Sequence, residues 1–149
     1  MSSLHDIELI PASVDVSATF DEAARALAES RLPALAVLDE GRVVGLFTDE
    51  ELLLGVSPKY LDELRHTAFL ESELPSLREH AAAVRSEPVR KHMRKPITVE
   101  LDSSSLHASE RFVHSDEGAI AVVDTDGRFV GMLSKAEFAY AMLRRLTES

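Results

Sequence analysis

The stretch Gly41-Arg42-Val43-Val44-Gly45-Leu46-Phe47-Thr48-Asp49-Glu50-Glu51-Leu52 returns near the other end of the chain as Gly127-Arg128-Phe129-Val130-Gly131-Met132-Leu133-Ser134-Lys135-Ala136-Glu137-Phe138. Such a duplication constrains the fold more than composition does, because whatever one copy forms the other must form too, and the two have to pack. The match extends upstream. Pro11-Ala12-Ser13-Val14 lies over Pro96-Ile97-Thr98-Val99 at an offset of about 85 positions, which also sets Ala23 on Ala108 and Leu27 on Phe112. Leu35-Ala36-Val37-Leu38-Asp39 falls on Ile120-Ala121-Val122-Val123-Asp124. One extra residue in the second turn then shifts the register, and an insertion of that size belongs in a hairpin loop.

Each copy repeats one local pattern. A short extended piece, Pro-x-Ser/Thr-Val, leads into an amphipathic helix with Phe20, Ala23, Ala24 and Leu27 at i, i+3, i+4, i+7; Ala108, Phe112 and Val113 mark the same face in the second copy. Two short apolar strands follow, Ala34 to Leu38 and Val43 to Phe47, recurring as Ala119 to Val123 and Phe129 to Leu133 around an Asp126-Gly127 hairpin signal. A second helix begins at Asp49 or Lys135. Nearly continuous apolar strands are covered on both faces, so each β-α-β-β-α unit buries its sheet against something, and the other copy is the nearest partner. The pattern predicts an α/β fold, with a first repeat over 1–56, a helical connector over 57–88 and a second repeat over 89–149, together one compact module. Pro58, Pro75 and Pro88 punctuate two predicted helical stretches between the copies, the second with Leu74, Leu77, Ala81 and Val84 on one side. That side either packs on the core or docks another protein.

Composition narrows the function. Sixteen Lys+Arg against 26 Asp+Glu give a formal charge of -10 over 149 residues, which disfavours a phosphate backbone or an anionic membrane as partner. The absence of cysteine removes disulfides, thiolate nucleophiles and Cys-ligated zinc. The start carries neither a basic n-region nor a long apolar stretch, and the richest apolar runs are far short of a membrane span, so the expected location is the cytoplasm. His107, Glu110 and His114 share a helical face at i, i+3, i+7, yet their counterparts are Glu22, Arg25 and Glu29, a solvated charged face, so no metal is expected there. No nucleotide-loop, hydrolase or zinc-protease motif is present, and no catalytic residues are assigned.

The doubled motifs resemble the CBS-domain family. Gly45-Leu46-Phe47-Thr48 and Gly131-Met132-Leu133-Ser134 each stand behind a hairpin whose first strand ends in Asp39 or Asp124, and Val89-Arg90-Lys91-His92-Met93 precedes Pro96-Ile97-Thr98-Val99 in the manner of a family lead-in. The resemblance implies two repeats packed sheet to sheet about a pseudo-twofold axis. It also implies two clefts that in many relatives hold AMP, ADP, ATP or S-adenosylmethionine, a homodimer, and a regulatory rather than catalytic role. In the family pattern the Ser/Thr and helix start meet phosphate and an Asp three residues on holds the ribose; here Glu51 and Glu137 stand at that Asp position. A helix start attracts phosphate and a carboxylate accepts hydroxyl donors, so the chemistry remains available.

The same residues also spell S/T-x-x-E capping boxes, which satisfy a helix start internally and need no ligand. Ala36 and Ala121 replace a proline common in relatives. The Ser134 cleft is electrostatically the better phosphate site, since Lys135 begins its helix where Asp49 begins the other. By family geometry Ser13 and Val14 face the Ser134 cleft, and Thr98 and Val99 the Thr48 cleft. The run from Arg90 to Lys95 reads first as a solvated basic turn and second as phosphate capture. Two functions follow: an adenosine-ligand sensor using Ser134, Lys135, Glu137, Thr48 and Glu51, with an adenine nucleotide as regulatory ligand rather than a cofactor; or an interaction module with both clefts closed by Glu51 and Glu137 and an unknown protein partner.

Overall fold

The computed structural model describes residues 4–57 and 67–148, with side chains described outside 67–74. Two three-stranded sheets form, ordered β1-β2-β3 and β4-β5-β6. The first holds β1 (Ser13–Asp15), β2 (Ala34–Asp39) and β3 (Arg42–Thr48); the second holds β4 (Thr98–Glu100), β5 (Ala119–Val123) and β6 (Phe129–Ser134). In both, the short first strand pairs parallel to the central one and the hairpin closes antiparallel. The parallel crossovers are helices α1 (Phe20–Ser30) and α4 (Ser105–Val113), while α2 (Asp49–Val56) and α5 (Lys135–Thr147) follow the hairpins. Each repeat is therefore the β-α-β-β-α unit that the sequence predicts.

The helices begin where their sequences say they should. Thr19 caps α1 in a full box, its amide donating to Glu22 Oε1 at 3.0 Å and its hydroxyl oxygen accepting from the Glu22 amide at 3.1 Å. Ser104 caps α4 through the His107 amide. At the hairpins Glu40 and Gly41 both take positive φ, 51° and 84°, which suits a two-residue turn, and a Cβ on Gly41 would meet Arg128 Nη1 at 2.8 Å. The longer second turn is closed by Asp124, whose Oδ1 accepts from the amides of Asp126 and Arg128. The two hairpin tips then hold each other: Arg42 donates to the Asp126 carbonyl and Arg128 to that of Glu40.

Small residues set the distance between the sheets. Ala34, Ala36, Ala119 and Ala121, with Leu46 and Met132, form the buried layer joining the two copies, and alanines on the central strands allow the sheets to approach closely. Larger side chains fill the layers between each sheet and its helices. One contains Phe20, Leu27, Leu35, Val37 and Phe47; the other contains Phe112, Ile120, Val122, Leu133 and Phe138. These layers exchange chain: Leu4 and Ile7, at the beginning of the sequence, belong to the second copy's core, whereas Val84 of the connector and Val89, which opens the second copy's span, belong to the first. The sequence repeats are thus not the packing units.

The connector differs from its sequence reading. Helix α3 runs from Thr67 to Arg85 with Pro75 inside it, so that proline does not separate two helices. Pro75 is exposed, which leaves water free to serve the carbonyl that loses its amide partner. Pro58 and the Leu74 side chain lie outside the described residues. Val84 on α3 is buried in the first core, and the Arg85 Nε donates to Asp21 Oδ1 of α1 at 3.0 Å. That hydrogen bond holds the Asp21 carboxyl below its ordinary value, with the guanidinium charges of Arg85 and Arg25 adding to it. A lowered folded value means that the tie contributes fully above about pH 4 and is lost as pH falls through the folded value. Asp21→Asn is therefore expected to lower the thermal midpoint at pH 6, by an amount that shrinks as pH falls below about 4; a gap that does not narrow would show that the tie does not hold α3.

Candidate functional site

Each hairpin ends in a helix start with an extended N-cap, Thr48 (φ -111°, ψ 169°) before α2 and Ser134 (φ -73°, ψ 135°) before α5. Three residues earlier in each strand stands a glycine that lets another segment approach. A Cβ on Gly45 would lie 2.4 Å from Met93 Sδ and 3.1 Å from the Arg94 carbonyl oxygen, and one on Gly131 would lie 2.8 Å from Leu9 Cβ. Across these gaps the backbone pairs. The Leu46 amide donates to the Arg94 carbonyl at 3.0 Å and the Arg94 amide returns the bond at 2.9 Å; Ile10 and Met132 exchange bonds of 3.0 and 2.6 Å in the same way. Each helix start therefore faces the lead-in segment of the opposite copy.

The two junctions share a spelling but not a chemistry. At Thr48 the capping box is complete: the amide donates to Glu51 Oε1 at 3.1 Å, the hydroxyl donates to the same oxygen, and Thr48 Oγ1 accepts from the Glu50 amide at 3.2 Å. Glu51 Oε2 accepts from Arg94 Nε at 2.8 Å and Nη2 at 2.5 Å. The same guanidinium reaches Glu50 at 2.9 Å through Nη2 and Glu117 at 2.9 Å through Nη1. Glu51 and Glu117 are largely buried, with side chains 12% and 8% exposed, so these are charge-assisted bonds sheltered from water. The Glu51 hydrogen bond first, then Glu50 and Glu117, hold the guanidinium above its usual pKa against the opposing effect of burial.

At Ser134 the box is half made. Its Oγ accepts from the Glu137 amide at 3.3 Å, but the Glu137 carboxylate is exposed and has no hydrogen-bond partner among the described residues. The lead-in residue at the position of Arg94 is Ile10, and the residue matching Glu117 is Leu32. Nothing in that lead-in segment supplies a cation to Glu137. The Lys135 amide donates to the Gly118 carbonyl at 2.9 Å, and its side chain lines a groove of about 320 Å³ between α4 and α5, with Phe112, Val113, Phe138 and Met142. Lys135 is thus shared between the helix start and the outer helical face.

The four predicted strand residues divide by face. Val99 is buried and Val14 partly buried, and both side chains pack into the helix-side cores beside Ile120 and Leu35 respectively. Alternation along a strand gives their neighbours another aspect. Ser13 lines a cavity of about 290 Å³ with Ile10, Ala12, Ala26, Glu29 and Ser30, on the segment that Met132 holds two residues before Ser134. The Thr98 carbonyl accepts from Arg111 Nε at 3.1 Å, beside a depression of about 160 Å³ lined by Ile97, Glu110, Arg111, His114 and Ser115. His107 does not line it, and among the described residues no three potential ligands gather into a metal site.

Arg94 and Glu117 are the residues that the sequence reading passes over. Their signal is a double mismatch between the copies: at the 85-position offset Arg94 falls on Leu9 and Glu117 on Leu32, which places opposite charges in one copy where the other is aliphatic.

Two sheets joined through alanine-rich central strands, with a capped helix start at each inter-copy junction, define a tandem module of two like repeats. The sequence model of the CBS domain matches residues 6–57 and 89–144, and the chain belongs to that family. A CBS domain-containing protein of Dictyostelium discoideum is 25% identical over 135 residues, covering 90% of this chain and 86% of its own. Among solved structures, CBSX2 of Arabidopsis thaliana in complex with AMP superposes with a TM-score of 0.68 at 22% identity, covering 98% of this chain and 99% of that one. The CBS domain protein PAE2072 of Pyrobaculum aerophilum complexed with AMP gives 0.70 at 20% identity over 100% of both chains. At these identities the likeness establishes the fold. No helix among the described residues is long and apolar enough to cross a membrane.

Proposed function

We propose that this chain is a cytoplasmic regulatory CBS pair that senses an adenosine-containing ligand (AMP, ADP, ATP or S-adenosylmethionine) at the Ser134 junction. The observation that carries this reading is the Glu137 carboxylate, which lacks the internal donors that saturate Glu51. Ribose hydroxyls supply those donors, the α5 start and the Ser134 hydroxyl take the phosphate, and the Ile10–Ser13 segment flanks the base. AMP in two similarly folded solved structures supports the ligand class. Leu106, Val113, Tyr140, Leu143 and Leu146, exposed on α4 and α5, give the homodimer an apolar face.

Thermal unfolding with and without millimolar AMP, ADP, ATP, S-adenosylmethionine and cyclic di-AMP tests the reading. Ligand at a hundred times its dissociation constant adds about 2.7 kcal/mol, or roughly 5–10 °C for a chain of this size. One compound is expected to give a saturable shift that Glu137→Ala abolishes. No shift with any of them would sink the sensor and favour the interaction module, for which the exposed α4–α5 face is the supporting feature.

A further inference from the structure

We propose that Arg94 occupies the Thr48 junction as a built-in substitute for ligand, so that each chain carries one adenosine-ligand site, at Ser134, and the other junction is a clamp between the copies. The ligand count rests on the reading above; the clamp does not.

Three observations lead here. Every acceptor that a ribose would use at Glu51 is already taken, Oε1 by the Thr48 amide and hydroxyl and Oε2 by two nitrogens of Arg94. The guanidinium is not a mobile surface group, because the Arg94 backbone is paired on both sides with Leu46 and its fork spans Glu50, Glu51 and Glu117. Charge disfavours an anionic competitor too. Glu50, Glu51 and Glu117 gather around one cation and Asp49 adds a further carboxylate in the first turn of α2, so a phosphate arriving there meets net negative charge. Expelling Arg94 would strand two largely buried carboxylates, which a ligand would have to compensate before gaining any affinity. At Ser134 the matching residues are Ile10 and Leu32, so nothing of the kind fills that junction.

The chain has no cysteine, so a single introduced thiol reports on one junction at a time. The reaction of neutral iodoacetamide with Thr48→Cys and Ser134→Cys is to be followed with and without Arg94→Ala, and with Arg94→Lys in case the alanine variant fails to fold. Removing the guanidinium should speed alkylation of the Thr48→Cys thiol by about tenfold or more through local opening, and leave the Ser134→Cys thiol unchanged. The direction is informative, because losing a cation beside carboxylates disfavours the thiolate and by itself slows the reaction. In parallel, equilibrium dialysis of AMP against the unmodified protein is expected to give one equivalent per chain. Two equivalents would overturn the clamp while supporting the ligand reading, and Thr48→Cys rates indifferent to Arg94 would overturn it directly. Dialysis in which none of AMP, ADP, ATP and S-adenosylmethionine binds, with Thr48→Cys still protected by Arg94, would remove the ligand reading and leave the clamp standing.

Discussion

Replacing Arg94 by methionine is expected to lower stability by about 3 kcal/mol, a drop of roughly 6–12 °C in thermal midpoint. Methionine retains most of the aliphatic stem, so packing against Leu46 and β3 changes little and the loss is electrostatic. The Glu51 and Glu117 side chains, 12% and 8% exposed, would keep their charges without a counter-ion, and breaking one side of a buried pair costs more than the pair itself is worth. The low end of the usual range applies because Arg94 is itself 31% exposed and water can partly take its place. Urea unfolding measures the effect. Adding Glu51→Gln and Glu117→Gln to Arg94→Met should recover at least half of it, since the stranded charges are then gone; no recovery would mean that Arg94 matters for packing instead.

A comparable loss, about 3 kcal/mol, is expected from Leu4→Ala. Leu4 is fully buried among Val99, Phe112, Ile120, Leu133 and Phe138, its amide bonded to the Leu101 carbonyl at 3.3 Å. Neighbouring ties hold it there: His5 to Asp102 at 2.6 Å, and Asp6 to Arg145, which also reaches Ser105. Truncating a fully buried leucine removes its transfer energy and leaves a cavity that flanking ties prevent from collapsing. Chemical unfolding monitored at the second copy is the measurement, and a change under about 0.5 kcal/mol would show that the segment is only loosely laid on.

What could be read in the sequence depended on whether the repeat carried it. Strands, hairpins and capped helices appear in both copies, and each copy vouches for the other; β2 opens Ala-Leu-Ala-Val and β5 Ala-Ile-Ala-Val, all eight residues buried. The lead-in segments were harder, because nothing in a local pattern says which core a short apolar run will join, and Leu4 and Ile7 sit among residues nearly the whole chain away. Family geometry puts Val14 and Val99 at the clefts, and the fold turns their side chains toward the helix-side cores. The basic run from Arg90 to Lys95 was treated as one solvated patch. Arg90 and Lys91 are indeed exposed, His92 pairs with Glu87 at 2.7 Å, and Arg94 is drawn inward, a separation that charge counting along a chain cannot make. Glu51 and Glu137 illustrate the limit most plainly, since the residue that decides between capping and binding lies opposite them in space and more than forty positions away from Glu51 in sequence.

The exchange of lead-in segments also bears on how the protein is made. A ribosome delivers Leu4 and Ile7 well before Leu133 and Phe138, which complete the pocket that receives them. The first copy likewise waits for Val84 and Val89. The first copy cannot finish folding until the chain beyond it has been made, and Leu4 and Ile7 wait for most of the second copy before they find their place.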